Sequence, residues 1–317
     1  MKNFQIKKNN CQLVLDSGEI FNGIGYGSFG DYVGELCFNT SITGYQEILT
    51  DPSYFKQIIT FTFPHIGIVG TNSTDHESSN IYATACIVNN NLTAASNYRS
   101  QRSLHDWLKL QKSACITGID TRFLTKLIRE KGSQNALIHF PENKFSKPRE
   151  LIEKLKKVPK MDKQELASKV STKKEYKWSQ KKIPISSLHP FKNRFIAVID
   201  YGIKSNILKL LKSSNYHVLV FPASKSIKEI LSYNPLGIFL SNGPGDPVAT
   251  FNKFKNELSL LKKTSIPIFG ICLGHQILAL LFGARTEKMH HGHRGANHPI
   301  KNLKSKKVEI TVQNHGF

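Results

Sequence analysis

One cysteine, Cys272, stands where thiol chemistry is favoured. It lies in the run IPIFGICLGHQILALLFG over 266–283. A short apolar stretch ends at Gly270, Cys272 follows, then Gly274, then an apolar run long enough for a helix. Strand, tight turn and helix with Gly-x-Cys-x-Gly at the turn is the cysteine form of a nucleophile elbow. The glycines allow the sharp turn and close strand–helix packing. The sulfur then sits at a helix N-terminus, where backbone N–H groups favour the thiolate. The competing reading is a buried structural cysteine, because thiols are among the most buried side chains.

These residues need a scaffold, and the last third of the chain supplies its pattern. Apolar runs predict strands over 195–200, 217–221, 236–241 and 266–271. Apolar residues at 203, 207, 208 and 211 predict a helix over 203–214. A second helix is expected over 226–232, opened by a capping box of Ser226 and Glu229. Phe254, Leu258 and Leu261 mark a third. Strands alternating with helices at this spacing imply a mostly parallel, doubly wound sheet with helices on both faces. Reactive groups in such sheets gather at the carboxyl ends of strands. Both NGPGDP (242–247) and Cys272 fall there.

The first 140 residues read as a separate mixed α/β domain. QIITFTFP (57–64) alternates as a half-buried strand, and CQLVLDSGEIFNGIGYG suggests a hairpin through Asp16–Gly18. DTRFLTKLIREKG (120–132) predicts a short helix with Phe123, Leu124, Leu127 and Ile128 inward and Gly132 as its stop. The expected division is a first domain over 1–150, a Lys-rich joint over 151–190 and a last domain over 191–317. Leu151, Ile152 and Leu155 suggest a small helix in the joint, and 173–190, with Pro184 and Pro190, a linker.

Composition narrows the function classes. The chain has 317 residues and 39% hydrophobic content, enough for two packed domains. Its five cysteines (11, 37, 86, 115, 272) form no CxxC pattern and are odd in number, which fits thiols in a reducing compartment. The N-terminus lacks the apolar core of a signal peptide, and no stretch approaches the ~20 apolar residues of a membrane span. The expectation is a soluble, cytoplasmic protein with no membrane partner. The net charge of +21 raises a nucleic-acid partner. However, the basic residues are mostly Lys, spread along the chain and densest over 141–182, without interleaved aromatics. No nucleic-acid partner is expected. The tract MHHGHRGANHP (289–299) raises metal binding, but His290, His291, His293 and His298 lack a nearby Cys or acidic co-ligand, and no metal is expected.

GICLGHQ with the upstream SNGPGDP is similar to class I glutamine amidotransferases. The run GELCFNTSITGYQEILTDPSYFKQIITFTFPHIGIVGTN (34–72) resembles the small subunit of carbamoyl-phosphate synthetase far more specifically. So do ASNYR (95–99), GIDTRFLTKLIREKG (118–132), FLSNGPGDP (239–247), GHRGANHP (292–299) and QNHGF (313–317). The likeness covers the chain except 141–190. An anthranilate or GMP synthetase type of amidotransferase would share the elbow but is not expected to carry the 34–72 run.

The resemblance implies glutamine hydrolysis, with ammonia passed through a tunnel to a large synthetase subunit in a hetero-oligomer. That partner would hold ATP and Mg, with no cofactor on this chain, and its product would feed pyrimidine and arginine biosynthesis. Cys272 would attack the glutamine side-chain carbonyl and form a γ-glutamyl thioester. The oxyanion would need donors already in place, the Leu273 N–H and a glycine of SNGPGDP. The family's glutamine-binding positions fall on Ser53, Gly243, Gly245, Leu273, Gln276, Asn314, Gly316 and Phe317. Taken singly, Ser53 reads as a turn serine, the glycines as turn glycines and Gln276 as a helix-surface amide. Ser53 is expected to come from the first domain, which would put the site at a domain interface.

The family's catalytic histidine and its orienting glutamate belong to a C-terminal segment beyond Phe317. Neither His275 nor His315 holds that role by motif. The expectation is therefore a chain truncated before those two residues, its last domain incomplete. The alternative function is a catalytically dead subunit that only binds the large subunit.

Overall fold

The structure, a computed structural model, describes residues 9–179, 182–185 and 194–317. It forms two compact units. One takes the described residues up to Thr50, then Lys56–Lys160 and Met289–Gly316; the other takes Asp51–Phe55, the described part of Met161–Lys288, and Phe317.

The first unit is a seven-stranded closed barrel of β1 (Cys11–Leu15), β2 (Ile20–Gly27), β3 (Gly30–Asn39), β4 (Gln57–Phe61), β5 (Ala85–Ile87), β6 (Ala114–Thr117) and β7 (Asn135–Phe140). Its strand order is β1-β2-β6-β5-β4-β3-β7, with β7 returning to pair β1. The β1–β2 hairpin turns through Asp16–Gly18 as expected, and Gly18 takes φ 98° there. β4 is not half-buried. It is flanked by parallel neighbours β3 and β5, and all five of its residues are buried. Helices α1 (Tyr45–Thr50), α2 (Leu104–Leu110), α3 (Thr121–Lys131) and α4 (Pro148–Lys156) complete this unit. Leu124, Leu127 and Ile128 of α3 join the core with Leu13, Leu36, Ile58 and Ile138. Phe123 departs from the expected inward face, being 49% exposed with its ring 6.1 Å from Phe21.

Three boundaries differ from the expected division, each for a packing reason. Leu151 and Leu155 of α4 pack on Val14 and Leu137, so the start of the Lys-rich joint belongs to the barrel unit. Residues 173–179 and 182–185 are not a plain linker. They supply β8 (Tyr176–Lys177) and β9 (Ile183–Pro184), and β8 pairs antiparallel with a sheet strand. Pro190 lies outside the described residues. Finally, the hairpin of β14 (His293–Lys301) and β15 (Val308–His315) groups with the barrel. Thr40 N–H donates to the Arg294 carbonyl (3.2 Å), Ser133 N–H donates to the His290 carbonyl (2.9 Å), and buried Arg294 lies 3.8 Å from buried Glu35.

The second unit is the open sheet that the alternation predicted. Between β9 and β14 run β10 (Phe195–Asp200), β11 (His217–Pro222), β12 (Gly237–Leu240) and β13 (Ile268–Gly270). The order is β13-β12-β10-β11-β8-β9, parallel from β13 to β11. The short α5 (Ala167–Val170) precedes the sheet; α6 (Ser205–Ser213), α7 (Ile227–Ser232), α8 (Pro247–Ser259) and α9 (Leu273–Leu281) alternate with its strands. Strands buried on both faces need helices on both faces. Leu208 of α6 packs with Val198, Val220 and Phe239; Ile230, Leu258 and Ile277 of the other three pack with Ala197, Ile199 and Leu240. The expected capping box is absent: Glu257 takes the Ile227 N–H (2.7 Å) and the Ser226 hydroxyl (3.2 Å), while Glu229 pairs with Lys225. Among the described residues no helix is long and apolar enough to cross a membrane.

Candidate active site

The Gly-x-Cys-x-Gly turn follows β13. Cys272 is the N-cap of α9 at φ 52°, ψ −112°, a conformation that costs an L-residue energy and is held by its surroundings. Two close approaches hold it. A Cβ on Gly270 would lie 2.5 Å from the Gly274 carbonyl carbon, and a Cβ on Gly274 would lie 2.1 Å from the Leu240 oxygen. The Gln276 N–H reaches the Cys272 carbonyl at 2.9 Å and starts the helix. The cysteine is half-buried. Among the described residues the Leu273 N–H makes no backbone hydrogen bond, which leaves a donor beside the sulfur's own residue.

The second loop leaves the neighbouring strand β12. The Ile271 N–H donates to the Leu240 carbonyl at 3.1 Å, which ties the two loops together. Gly243 is required by proximity: a Cβ there would stand 2.1 Å from the Tyr201 oxygen and 2.9 Å from Leu273 Cδ2. Gly245 takes φ 94°, and its Cβ position is 2.7 Å from the Gln164 oxygen. Asp246 then caps α8 through the Val248 N–H (2.7 Å), its other oxygen accepting from the Lys163 N–H (2.7 Å).

Ser53 groups with this unit and not with the barrel that precedes it in sequence. Asp51 Oδ1 accepts the Ser53 N–H (2.9 Å), and Asp51 Oδ2 lies 3.7 Å from Lys204 Nζ. Asn242 Nδ2 donates to Ser53 Oγ at 2.9 Å. The expectation that Ser53 enters from the first domain is thus corrected; these contacts fasten it to the sheet unit. Gln276 Nε2 donates to the Phe317 carbonyl at 2.8 Å, and Lys288 Nζ sits 4.9 Å above the Phe317 ring.

Ser53, Gly243, Gly245, Cys272, Leu273, Gln276 and Phe317 therefore share one unit. Asn314 and Gly316 are counted with the barrel unit, where Asn314 faces Arg294 across the β14–β15 ladder. His315 contacts His293 Nδ1 and Gln313 Oε1, at 3.2 and 3.1 Å, and His275 is exposed on α9. Among the described residues no group of three or more His, Cys, Asp or Glu side chains is arranged to hold a metal ion.

The sequence reading missed Asp200 and Asn242. Burial pushes the Asp200 carboxyl above its ordinary range, opposed by hydrogen bonds from the Ile203, Thr172 and Gly202 N–H groups. The available signal was position: both are polar residues at the carboxyl ends of apolar strands, where a buried side chain needs partners. Beside β13 an apolar groove of 720 Å³ is lined by Ile196, Leu211, Ile238, Phe269 and Ile271, among others.

A strained cysteine at the mouth of a doubly wound sheet is the geometry of an amidotransferase, and residues 197–317 match the model for glutamine amidotransferase class-I. Residues 13–138 match the model for the carbamoyl-phosphate synthase small chain, CPSase domain. The chain is 47% identical over its full length to the carbamoyl phosphate synthase small chain of Bartonella henselae, covering 81% of it. It is 47% identical to that of Zymomonas mobilis, covering 96% of this chain and 83% of the relative. An aminopeptidase from Aneurinibacillus sp. strain AM-1 covers 85% of this chain and 69% of its own, at 13% identity and a TM-score of 0.25, which carries no argument. This chain belongs to the carbamoyl-phosphate synthase small chain family.

Proposed function

We propose that this chain is the glutamine-hydrolysing subunit of a carbamoyl-phosphate synthase, a glutaminase half-reaction within a ligase. The observation that carries the reading is Cys272 held at φ 52° next to the Leu273 N–H, with Gly243 packed against Leu273. The Cys272 thiolate attacks the side-chain amide carbon of L-glutamine. A C–S bond forms, and the carbonyl oxygen gains negative charge opposite the Leu273 and Gly243 N–H groups. Donors fixed before the charge develops cost no reorganisation at that moment. The C–N bond then breaks as the nitrogen takes a proton from solvent water and leaves as ammonia, and a further water cleaves the C–S bond of the thioester, releasing glutamate and returning the Cys272 thiolate. Ser53, Gly245, Gln276 and Phe317 complete the proposed glutamine contacts.

Ammonia passes to a large subunit that holds ATP and Mg, in the cytoplasm, for carbamoyl phosphate used in pyrimidine and arginine biosynthesis. The test combines Cys272→Ser with that partner and compares synthesis from glutamine with synthesis from ammonia. Glutamine-dependent synthesis vanishes and ammonia-dependent synthesis persists. Equal loss of both contradicts the assignment. Docking of the unaltered chain without ammonia release assigns it the binding role alone.

A further inference from the structure

We infer that Asn242 is a positioning residue that fixes the polarity of Ser53, making its hydroxyl a hydrogen-bond donor to a substrate oxygen. The inference rests on the glutaminase reading and concerns the same site. Asn242 is 3% exposed, and its side-chain amide makes three bonds. Oδ1 accepts the Lys204 N–H at 3.2 Å. Nδ2 donates to the Gly202 carbonyl at 2.9 Å and to Ser53 Oγ at 2.9 Å. A backbone N–H can only donate and a carbonyl can only accept, so the first two bonds fix which end of the amide is nitrogen. The nitrogen therefore faces Ser53 and spends one of the hydroxyl's acceptor positions.

Ser53 is also held at its backbone, where the N–H is taken by Asp51 Oδ1 at 2.9 Å. Among the described residues its hydroxyl hydrogen meets no acceptor, and the side chain is only partly buried. With the Asn242 Nδ2 donating to one of its lone pairs, the hydroxyl keeps its hydrogen directed away from Asn242. Asp51 in turn lies 3.7 Å from Lys204 Nζ, and Lys204 supplies the N–H that orients Asn242. One closed set of contacts thus orients the serine.

The experiment labels Cys272 of the 317-residue chain with a chloroketone analogue of glutamine. It reads the half-saturating concentration and the maximal labelling rate separately, with iodoacetamide as an undirected control. Ser53→Ala and Asn242→Ala each raise the half-saturating concentration about 10-fold or more, the scale of a lost hydrogen bond to a charged or strongly polar group. The maximal labelling rate and the iodoacetamide rate stay unchanged. The double variant is no weaker than Ser53→Ala alone, because Asn242 acts through Ser53. Asn242→Asp, close to isosteric, offers an acceptor where the amide donated, turns the hydroxyl inward and matches or exceeds the loss in Ser53→Ala. Because the same oxygen would face the Gly202 carbonyl, folding of each variant is checked by urea unfolding at Trp178, and Ser53→Ala carries the test if neither Asn242 variant folds.

Multiplying losses in the double variant, an unchanged Ser53→Ala or an unchanged Asn242→Asp would each overturn the inference alone. An unaltered chain that reacts with iodoacetamide but resists the analogue overturns the glutaminase reading and this inference with it.

Discussion

Cys115 and Cys272 carry the same side chain in opposite surroundings. Cys115 is fully buried in the barrel, where burial and then neighbouring Cys86 hold its thiol well above the ordinary range. Cys11, also in the barrel wall, is pushed up to about 12 by burial. Cys272 stands half-buried at the end of an open sheet, on a turn that strains its backbone. The difference comes from topology. A closed barrel pairs every strand edge and covers its interior, so its cysteines only fill space. An open parallel sheet leaves loops at the carboxyl ends of its strands, where donors and a nucleophile are held without being buried.

The sharpest way to break this comparison is to exchange the roles of the two thiols. Cys272→Ala abolishes labelling by the glutamine analogue, while Cys115→Ala leaves its rate within about 2-fold; mass spectrometry of the labelled chain reads both. Loss of labelling in the barrel variant would refute the division. Next in size is Leu36→Ala, which empties a fully buried barrel site. It costs about 2–5 kcal/mol, read by urea unfolding at Trp107, with analogue labelling retained below the transition. Gly274→Ala drives a Cβ to 2.1 Å from the Leu240 oxygen. A loss of about 1–3 kcal/mol is expected, read at Trp178, together with slower labelling because the elbow must shift.

The smallest effect belongs to a surface pair on the barrel. Lys131, then Ser17, hold the Glu19 carboxyl down at about 2, against 4.5 for an ordinary glutamate. A lowered folded value means that the stabilisation is complete above about pH 4.5 and disappears as pH falls through about 2. The pair is solvent-exposed, so Glu19→Gln costs under about 1 kcal/mol at pH 7, and the gap to the unaltered chain closes toward pH 2. A gap that widened on acidification would contradict the sign.

Much of the sheet unit was legible because its signals are local. Apolar runs at βα spacing gave the strands, and Gly-x-Cys-x-Gly marked the elbow. Partners distant in sequence were not legible. Glu257 displaced Glu229 as the cap of α7 because tertiary packing brought a better-placed carboxylate to the Ile227 N–H. The 176–184 segment read as a linker because its strands have two residues each, too short for any periodicity. Ser53 read as part of the first domain because chain order says nothing of the Asn242 contact across 189 positions. Phe123 carried the helical stripe yet stayed 49% exposed, since hydrophobic spacing names a face and not how far the core reaches.

The twist at position 272 also bears on how such a chain drifts. Glycine adopts a positive φ at little cost, so Cys272→Gly would relax the turn and make the polypeptide harder to unfold. A lineage screened for durability alone would gain by that exchange. Sulfur is kept there only while something consumes its reactivity, and rising thermal tolerance at this codon would be an early sign of disuse.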